Sequence, residues 1–224
     1  METYISKIIS ISSLTKDVLE IVFEKPENFD YIAGQYVQLV VPTEDGFVRR
    51  SYSLSSTPSE RHLSFCIKVI PEGKGTQYLA SCTPGDDIEY RGPVGHFVPQ
   101  ESKKHFFIAT GVGISPMLGM IKALLEQDAD THIDLLFGLR FDEDLVYETL
   151  FSELKESHND FNYEYTLSRP ELWSGKKGRV TEHLPKDIED KMFYLCGSRE
   201  MVIDVRKKLL EKGVSPLNIK FEIF

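Results

Sequence analysis

Between residues 99 and 105 the polar run PQESKKH separates two textures of hydrophobicity, and this change of period constrains the fold more than any other feature of the chain. Before it, apolar and polar residues alternate in short runs: YISKIISIS, VLEIVFEK, QYVQLVVP, HLSFCIKVI and DDIEYRG, with breaks at PENFD, TEDG and TPGDD. Period-two runs bounded by Gly, Pro and Asp read as half-buried strands, and many of them in succession predict an antiparallel barrel or sandwich. After it, strand and helix patterns take turns. FFIAT leads into a helix from about Pro116 to Glu126, and HIDLLFG into one around DLVYETLFSELKE. FNYEYTLS follows, then MFYLCG with the amphipathic REMVIDVRKKLLEKG, and IKFEIF closes the sequence. That alternation predicts a doubly wound α/β parallel sheet. Two domains are expected, an antiparallel β-barrel over residues 1–99 and an α/β domain over residues 100–224.

A chain of 224 residues with 41% hydrophobic content can supply both cores. Its net charge of −9 argues against nucleic acid and against an anionic membrane surface as partners. No apolar run is long enough to span a bilayer. METYISKIISISSLTKD lacks the layout of a signal peptide, so a cytoplasmic location is expected. Cys66, Cys82 and Cys196 are too few and too scattered for a disulfide framework, a zinc site or an iron–sulfur cluster. The six histidines show no metal-ligand spacing, so no metal is expected. Asp86–Asp87 and Asp142–Glu143–Asp144 read as turn and helix-start residues rather than acid/base pairs.

Two stretches are not explained by packing. In VRRSYSLSSTP, period-two alternation sends Tyr52 and Leu54 one way and Ser51, Ser53 and Ser55 the other, beside Arg50. Such a strand buries little apolar surface. The second stretch, ATGVGISPM, follows the apolar FFIA. Gly111 and Gly113 allow close backbone approach, Pro116 suits the first turn of a helix, and a helix start is an anion site fit for a pyrophosphate. The third glycine of G-x-G-x-x-G is missing, so this motif alone reads equally well as a strand-to-helix turn.

Taken in order, the motifs carry more. Arg50, Tyr52, Ser53 and Ser55 stand in the pattern R-x-Y-S-x-S/T, and GKGTQYL (Gly73, Gly75, Thr76, Leu79) follows as G-x-x-S/T-x-x-L. GPVGHF (Gly92 to Phe97), TGVGISP (Thr110 to Pro116), YLCGSREM (Cys196, Gly197, Met201) and the terminal FEIF come next. This succession, nearly end to end, resembles the ferredoxin–NADP reductase superfamily. The resemblance implies an FAD-dependent NAD(P)H oxidoreductase, with a flavin-binding barrel and a nicotinamide dinucleotide-binding domain. It would transfer a hydride from NAD(P)H to FAD and pass electrons to a separate acceptor. Candidates are a ferredoxin, a flavodoxin, an oxygenase component or free flavin.

The same resemblance assigns roles. Arg50 would pair with the flavin pyrophosphate, because a guanidinium is a forked and permanent donor. Tyr52 would stack on the isoalloxazine, and Ser53 would hydrogen-bond its reactive ring nitrogen. Thr76 would give hydroxyl and backbone donors to the pyrophosphate, while Ile67 and Lys68 would contact the cofactor through their backbone. Thr110, Gly111, Gly113, Pro116, Gly197 and Met201 fall in the dinucleotide motifs. Cys196 would sit against the nicotinamide, Glu222 would lie near Ser53 and relay a proton, and Phe224 would cover the other flavin face. By residue type alone, other readings stand beside these: a solvated Arg50, Thr76 as an N-cap, Cys196 as a small core hydrophobe, Glu222 as a solvated carboxylate and Phe224 as a frayed end.

Three arginines follow strand ends: Arg140, Arg169 and Arg179. In bacterial members of the family an S-R pair and a later G-R, spaced like Ser168–Arg169 and Arg179, bind the extra ribose phosphate, which implies NADP. The W-S-G of Trp173 to Gly175 resembles NADH-using relatives instead. An NADH-dependent oxygenase reductase component, a free-flavin reductase or a non-catalytic redox-sensing flavin subunit are the competing expectations.

Overall fold

The computed structural model describes residues 1–44, 46–128 and 130–224. The chain divides into two compact units, Met1–Pro99 with Leu118–Ala123, and Gln100–Met117 with Leu124–Phe224.

The first unit contains β1 (Glu2–Ser13), β2 (Val18–Glu24), β3 (Tyr36–Thr43), β4 (Gly46–Ser53), β5 (His62–Lys68), α1 (Lys74–Ser81) and β6 (Asp87–Val94). Its strands pair antiparallel in the order β4-β3-β6-β1-β2-β5. Alternate side chains point inward: Ile21 and Phe23 from β2, Val37, Leu39 and Val41 from β3, Leu63, Phe65 and Ile67 from β5, and Ile88 and Tyr90 from β6. Phe29, Leu54 and Leu79 complete this core. Register shifts in β1 at Ile8/Ser10 and β3 at Tyr36/Gln38 bend the sheet, as bulges do. Its two outer strands are joined beyond the end of β4. Ser55 N–H donates to Ser64 O (2.8 Å), and Ser64 N–H donates to Ser56 Oγ (3.1 Å). The expected barrel is thus present, but the alternation expected through Ser55 stops at Ser53. Leu54, Ser55 and Ser56 are all buried, because the chain there turns in toward β5.

The second unit contains β7 (Lys104–Thr110), α2 (Ile114–Gln127), β8 (His132–Leu139), α3 (Glu148–Ser157), β9 (Phe161–Leu167), β10 (Lys176–Lys177), β11 (Lys191–Gly197), α4 (Arg199–Glu211) and β12 (Ile219–Ile223). All six strands are parallel, in the order β10-β9-β8-β7-β11-β12. The chain winds outward from β7 through β8, β9 and β10, then returns to the other side of β7 for β11 and β12. The switch point therefore lies between β7 and β11, which are apolar on both faces as central parallel strands must be. The helix expected from Asp144 starts only at Glu148, preceded by a 3-10 turn over Asp142–Asp144 and by Tyr147 at φ +62°. The aspartates draw their neighbours away from the helix. Asp144 Oδ2 accepts from Phe141 N–H (3.0 Å), and Asp142 Oδ2 from Glu171 N–H (2.7 Å). Among the described residues no helix is long and apolar enough to cross a membrane.

Candidate functional site

In the first unit the unusual serine-rich strand meets the start of α1. Tyr52 is half-buried on β4, and desolvation pushes its phenol up to about 12, eased by the positive charge of Arg50, so the ring stays neutral. A Cβ on Gly75 would lie 2.5 Å from Tyr52 Oη and 2.8 Å from Arg50 Cγ. Only glycine lets the first turn of α1 rest on that pair. The turn has no side-chain cap, so its amides remain available as donors, reinforced by the helix dipole. The exposed guanidinium of Arg50 donates from Nη1 to Arg49 O (2.8 Å). A forked cation, a helix start and a flat ring are what the pyrophosphate and the rings of FAD require.

Ser53 ends β4 in a buried position, and Ser55 Oγ is buried with no hydrogen-bond partner among the described residues. Such an orphan costs about 1–3 kcal/mol, recoverable when a bound polar group faces it. Thr76, expected to offer hydroxyl and backbone, uses its hydroxyl internally. Oγ1 accepts from Ile70 N–H (3.0 Å) and donates to the carbonyls of Gly73 (3.1 Å) and Ile70 (3.3 Å). Its backbone amide is what remains for a ligand. Ile67 and Lys68 also differ from one another. The bond from Val69 N–H to Asp17 O (2.7 Å) sets the phase of the β2–β5 ladder, so Ile67 turns its backbone toward Leu19 and Lys68 toward the open edge. The ammonium of Lys68 pairs with Asp17 at 2.8 Å.

In the second unit the ends of β7, β11 and β12 converge at the switch point, where sheets of this kind bind ligands. Gly111 adopts φ +54° with open space beside it, which suits a tight turn. Gly113 serves close packing, since a Cβ there would lie 2.3 Å from Cys196 O. Gly197, at φ +146°, would carry a Cβ 2.1 Å from Thr110 Oγ1. That hydroxyl is itself buried without a hydrogen-bond partner among the described residues. Pro116 stands in the first turn of α2. Met201 N–H donates to the N-cap Ser198 Oγ (3.3 Å), and the Met201 side chain joins the core under α4, so it buttresses the Gly197 turn.

Cys196 is fully buried and stands in register with Glu222 on the neighbouring strand. Burial, and then the charge of Glu222, push its thiol well up, so it is a neutral group. Burial raises the Glu222 carboxyl from 4.5 to about 6, and its Oε2 has no hydrogen-bond partner among the described residues. Phe224 N–H donates to Gly197 O (3.0 Å), tying the last residue to the switch point while half its surface is exposed. Cys196, Glu222, Thr110 and Phe224 are thus brought together; Ser53 belongs to the other unit.

The raised carboxyl makes a prediction. Folding favours the protonated form of Glu222, so this stabilisation is full below 4.5 and is lost as pH rises through 6. Discounted for partial exposure, the loss is about 1 kcal/mol. Glu222→Gln is expected to remove that slope from urea unfolding measured between about pH 4 and pH 7. An unchanged slope would place the titration elsewhere.

The arginines gather at the same edge of the sheet. Arg169 N–H donates to Arg140 O (2.8 Å), Ser168 N–H to Leu139 O (3.1 Å), and Gly178 N–H to Leu167 O (2.9 Å), which sets Arg179 just beyond. All three guanidinium side chains are exposed, and none forms an ion pair among the described residues. Trp173 has a packing role: its indole donates to Lys176 O (3.0 Å) and meets Tyr165 edge-on, and a Cβ on Gly175 would lie 2.5 Å from its ring. Sequence reasoning missed Ser56, whose Oγ holds both Ser64 N–H and the Tyr31 hydroxyl (2.9 Å), and Asp142, which anchors the loop before Trp173. The serine run and the D-E-D triplet were their only signals.

Comparison with known proteins agrees with this geometry. Residues 5–98 match the oxidoreductase FAD-binding domain, and residues 107–207 match the oxidoreductase NAD-binding domain. The chain is 32% identical over 221 residues to ferredoxin–NADP reductase B of Sorangium cellulosum, covering 92% of this chain and 91% of that one. It is 32% identical over 205 residues to the anthranilate 1,2-dioxygenase electron transfer component of Acinetobacter baylyi, covering 88% of this chain but 59% of that protein. A cytochrome P450 reductase of Amycolatopsis superposes with a TM-score of 0.92 at 26% identity, over 100% of this chain and 70% of that one. A ferredoxin NADP+ reductase of Neisseria gonorrhoeae with bound FAD and NADP superposes at 0.87 with 24% identity, over 100% and 99% of the two chains. With both domains matched in order and a relative aligned over nearly its whole length, the chain belongs to the ferredoxin–NADP reductase superfamily of FAD- and NAD(P)-binding oxidoreductases.

Proposed function

We propose that this flavoprotein is a cytoplasmic reductase that prefers NADPH and hands electrons to a separate carrier such as a ferredoxin or a flavodoxin. Residues 1–99 form its FAD domain and residues 100–224 its nicotinamide domain. The observation that carries the NADPH preference is the set of Arg140, Arg169 and Arg179, exposed and without ion pairs among the described residues, near Ser168. A dianionic ribose phosphate is the ligand such a set satisfies, through charge-assisted and bidentate bonds. The packing role of Trp173 and Gly175 accounts for the W-S-G motif without reference to NADH. A relative of nearly the same length carries the name ferredoxin–NADP reductase, which supports a separate carrier. Equal identity to a dioxygenase electron transfer component supports a second reading, in which the acceptor is an oxygenase component. The free thiols of Cys66, Cys82 and Cys196 suit a reducing compartment.

FAD, when bound, accepts electrons in a pair from NAD(P)H and releases them singly, so the chain itself supplies positioning and electrostatics. Arg50 and the α1 start bind the pyrophosphate, the Tyr52 ring supports the isoalloxazine, and the Ser53 hydroxyl holds its reactive ring nitrogen. Lys68 contributes backbone groups at the open edge of β5. Cys196, neutral and buried, would exclude water beside the nicotinamide. Glu222, with its carboxyl near 6, holds or releases a proton close to neutral pH.

The phosphate reading is tested by Arg169→Ala and Arg179→Ala, assayed with both nucleotides. Each is expected to raise KM for NADPH by about 10- to 100-fold, the worth of a lost charge-assisted bond, and to leave NADH unchanged. Equal effects on the two nucleotides would remove the ribose phosphate from the site.

A further inference from the structure

The strand β12 is the last of the parallel sheet and, among the described residues, pairs with β11 on one side and with no strand on the other. The bond from Phe224 N–H to Gly197 O fixes its phase: even-numbered residues turn their backbone to β11, and Ile219, Phe221 and Ile223 turn theirs outward. The outer row is unprotected by proline or bulge across Ile219–Ile223. Phe221 and Ile223 remain 47% and 43% exposed, with Ile203 of α4 at 51%, and Arg206 lies over the Phe221 ring at 5.7 Å. An unpaired edge of this kind, with exposed apolar side chains, is a template for another strand.

The sequence of that edge is complementary to itself. Reading IKFEI antiparallel against a second copy about Phe221 sets Lys220 opposite Glu222, Ile219 opposite Ile223 and Phe221 opposite Phe221. Neither Lys220 nor Glu222 forms an ion pair among the described residues. On one strand the two are same-face neighbours two residues apart, whereas a two-fold axis sets each directly opposite the other's counterpart. The phase agrees as well. Outward-facing Phe221 on the axis makes a hydrogen-bonded pair, and the flanking isoleucines bring the total to about six main-chain bonds. We infer that β12 is a homodimer edge, joining two copies of this chain through antiparallel β12–β12 pairing into one continuous sheet with an isologous interface.

Sedimentation velocity of the full flavin-loaded chain over a concentration series tests this. A dimer is expected to form below about 100 µM and to weaken with salt. Lys220→Glu, which opposes like charges, is expected to raise the dimer dissociation constant at least about tenfold. The charge-swapped double variant Lys220→Glu/Glu222→Lys restores the complement and is expected to recover most of the dimer, with circular dichroism reporting that each variant is folded. A monomer up to that concentration, or a dimer indifferent to both Lys220→Glu and Phe221→Asp, would overturn the inference.

Discussion

Gly197→Ala is expected to destabilise the chain by about 3–5 kcal/mol and to abolish tight nicotinamide nucleotide binding, because two penalties fall on one atom. The residue sits at φ +146°, a conformation that side chains rarely adopt, and its new Cβ would lie 2.1 Å from Thr110 Oγ1 and 2.9 Å from Thr110 O. Thr110 ends β7, so relief would have to come from a central strand or from the turn into α4. Either movement also disturbs the Gly113 packing, where Cys196 O already occupies the space a Cβ would need. Urea unfolding of the variant, with nucleotide titration on whatever fraction remains folded, checks both parts. Near-native stability would mean that the switch-point turn is softer than these contacts require.

The second large effect is chemical. Ser53→Ala is expected to slow reduction of the bound flavin by NADPH about 10²- to 10³-fold, the usual cost of removing one hydrogen bond at a reacting centre. FAD affinity should change far less. The alanine keeps the backbone of β4 in its pairing with Tyr36, and Arg50, Tyr52 and the α1 start are untouched. Single-turnover reduction of the loaded variant separates this from a loss of cofactor. If flavin retention falls in proportion to the rate, Ser53 is a binding residue and no more.

Much of the architecture was legible because period two and period 3.6 are written directly in the side chains. The polar run at 99–105 marked the change between them, and every long strand lies within a residue or two of its expected place. What was not legible depended on side chains acting at a distance. Asp142 and Asp144 look like a helix start, yet their carboxylates are recruited by Phe141, Glu171 and Leu172, which delays α3 to Glu148. The serines after Tyr52 look like one strand face, but Ser55 and Ser56 leave the strand to close the sheet against β5. Local composition also misplaces the purpose of the glycines. Gly113 reads as room for a phosphate and is in fact room for the Cys196 carbonyl. Thr76 reads as a ligand donor, while its hydroxyl is consumed by the loop from Ile70 to Gly73. By contrast, Arg140, Arg169 and Arg179 lie at one edge as their places after strand ends suggest, because strand ends in a parallel sheet share that edge, while their reading as phosphate ligands came from the family resemblance.

The central claim is that this chain reduces its flavin with a nicotinamide nucleotide, NADPH before NADH. The direct measurement is anaerobic stopped-flow mixing of the purified yellow protein with each nucleotide, following loss of flavin absorbance. The expected result is rapid bleaching by NADPH and markedly slower bleaching by NADH. Tight flavin binding with no bleaching by either nucleotide would contradict the claim and leave a flavin-binding subunit without reductase activity.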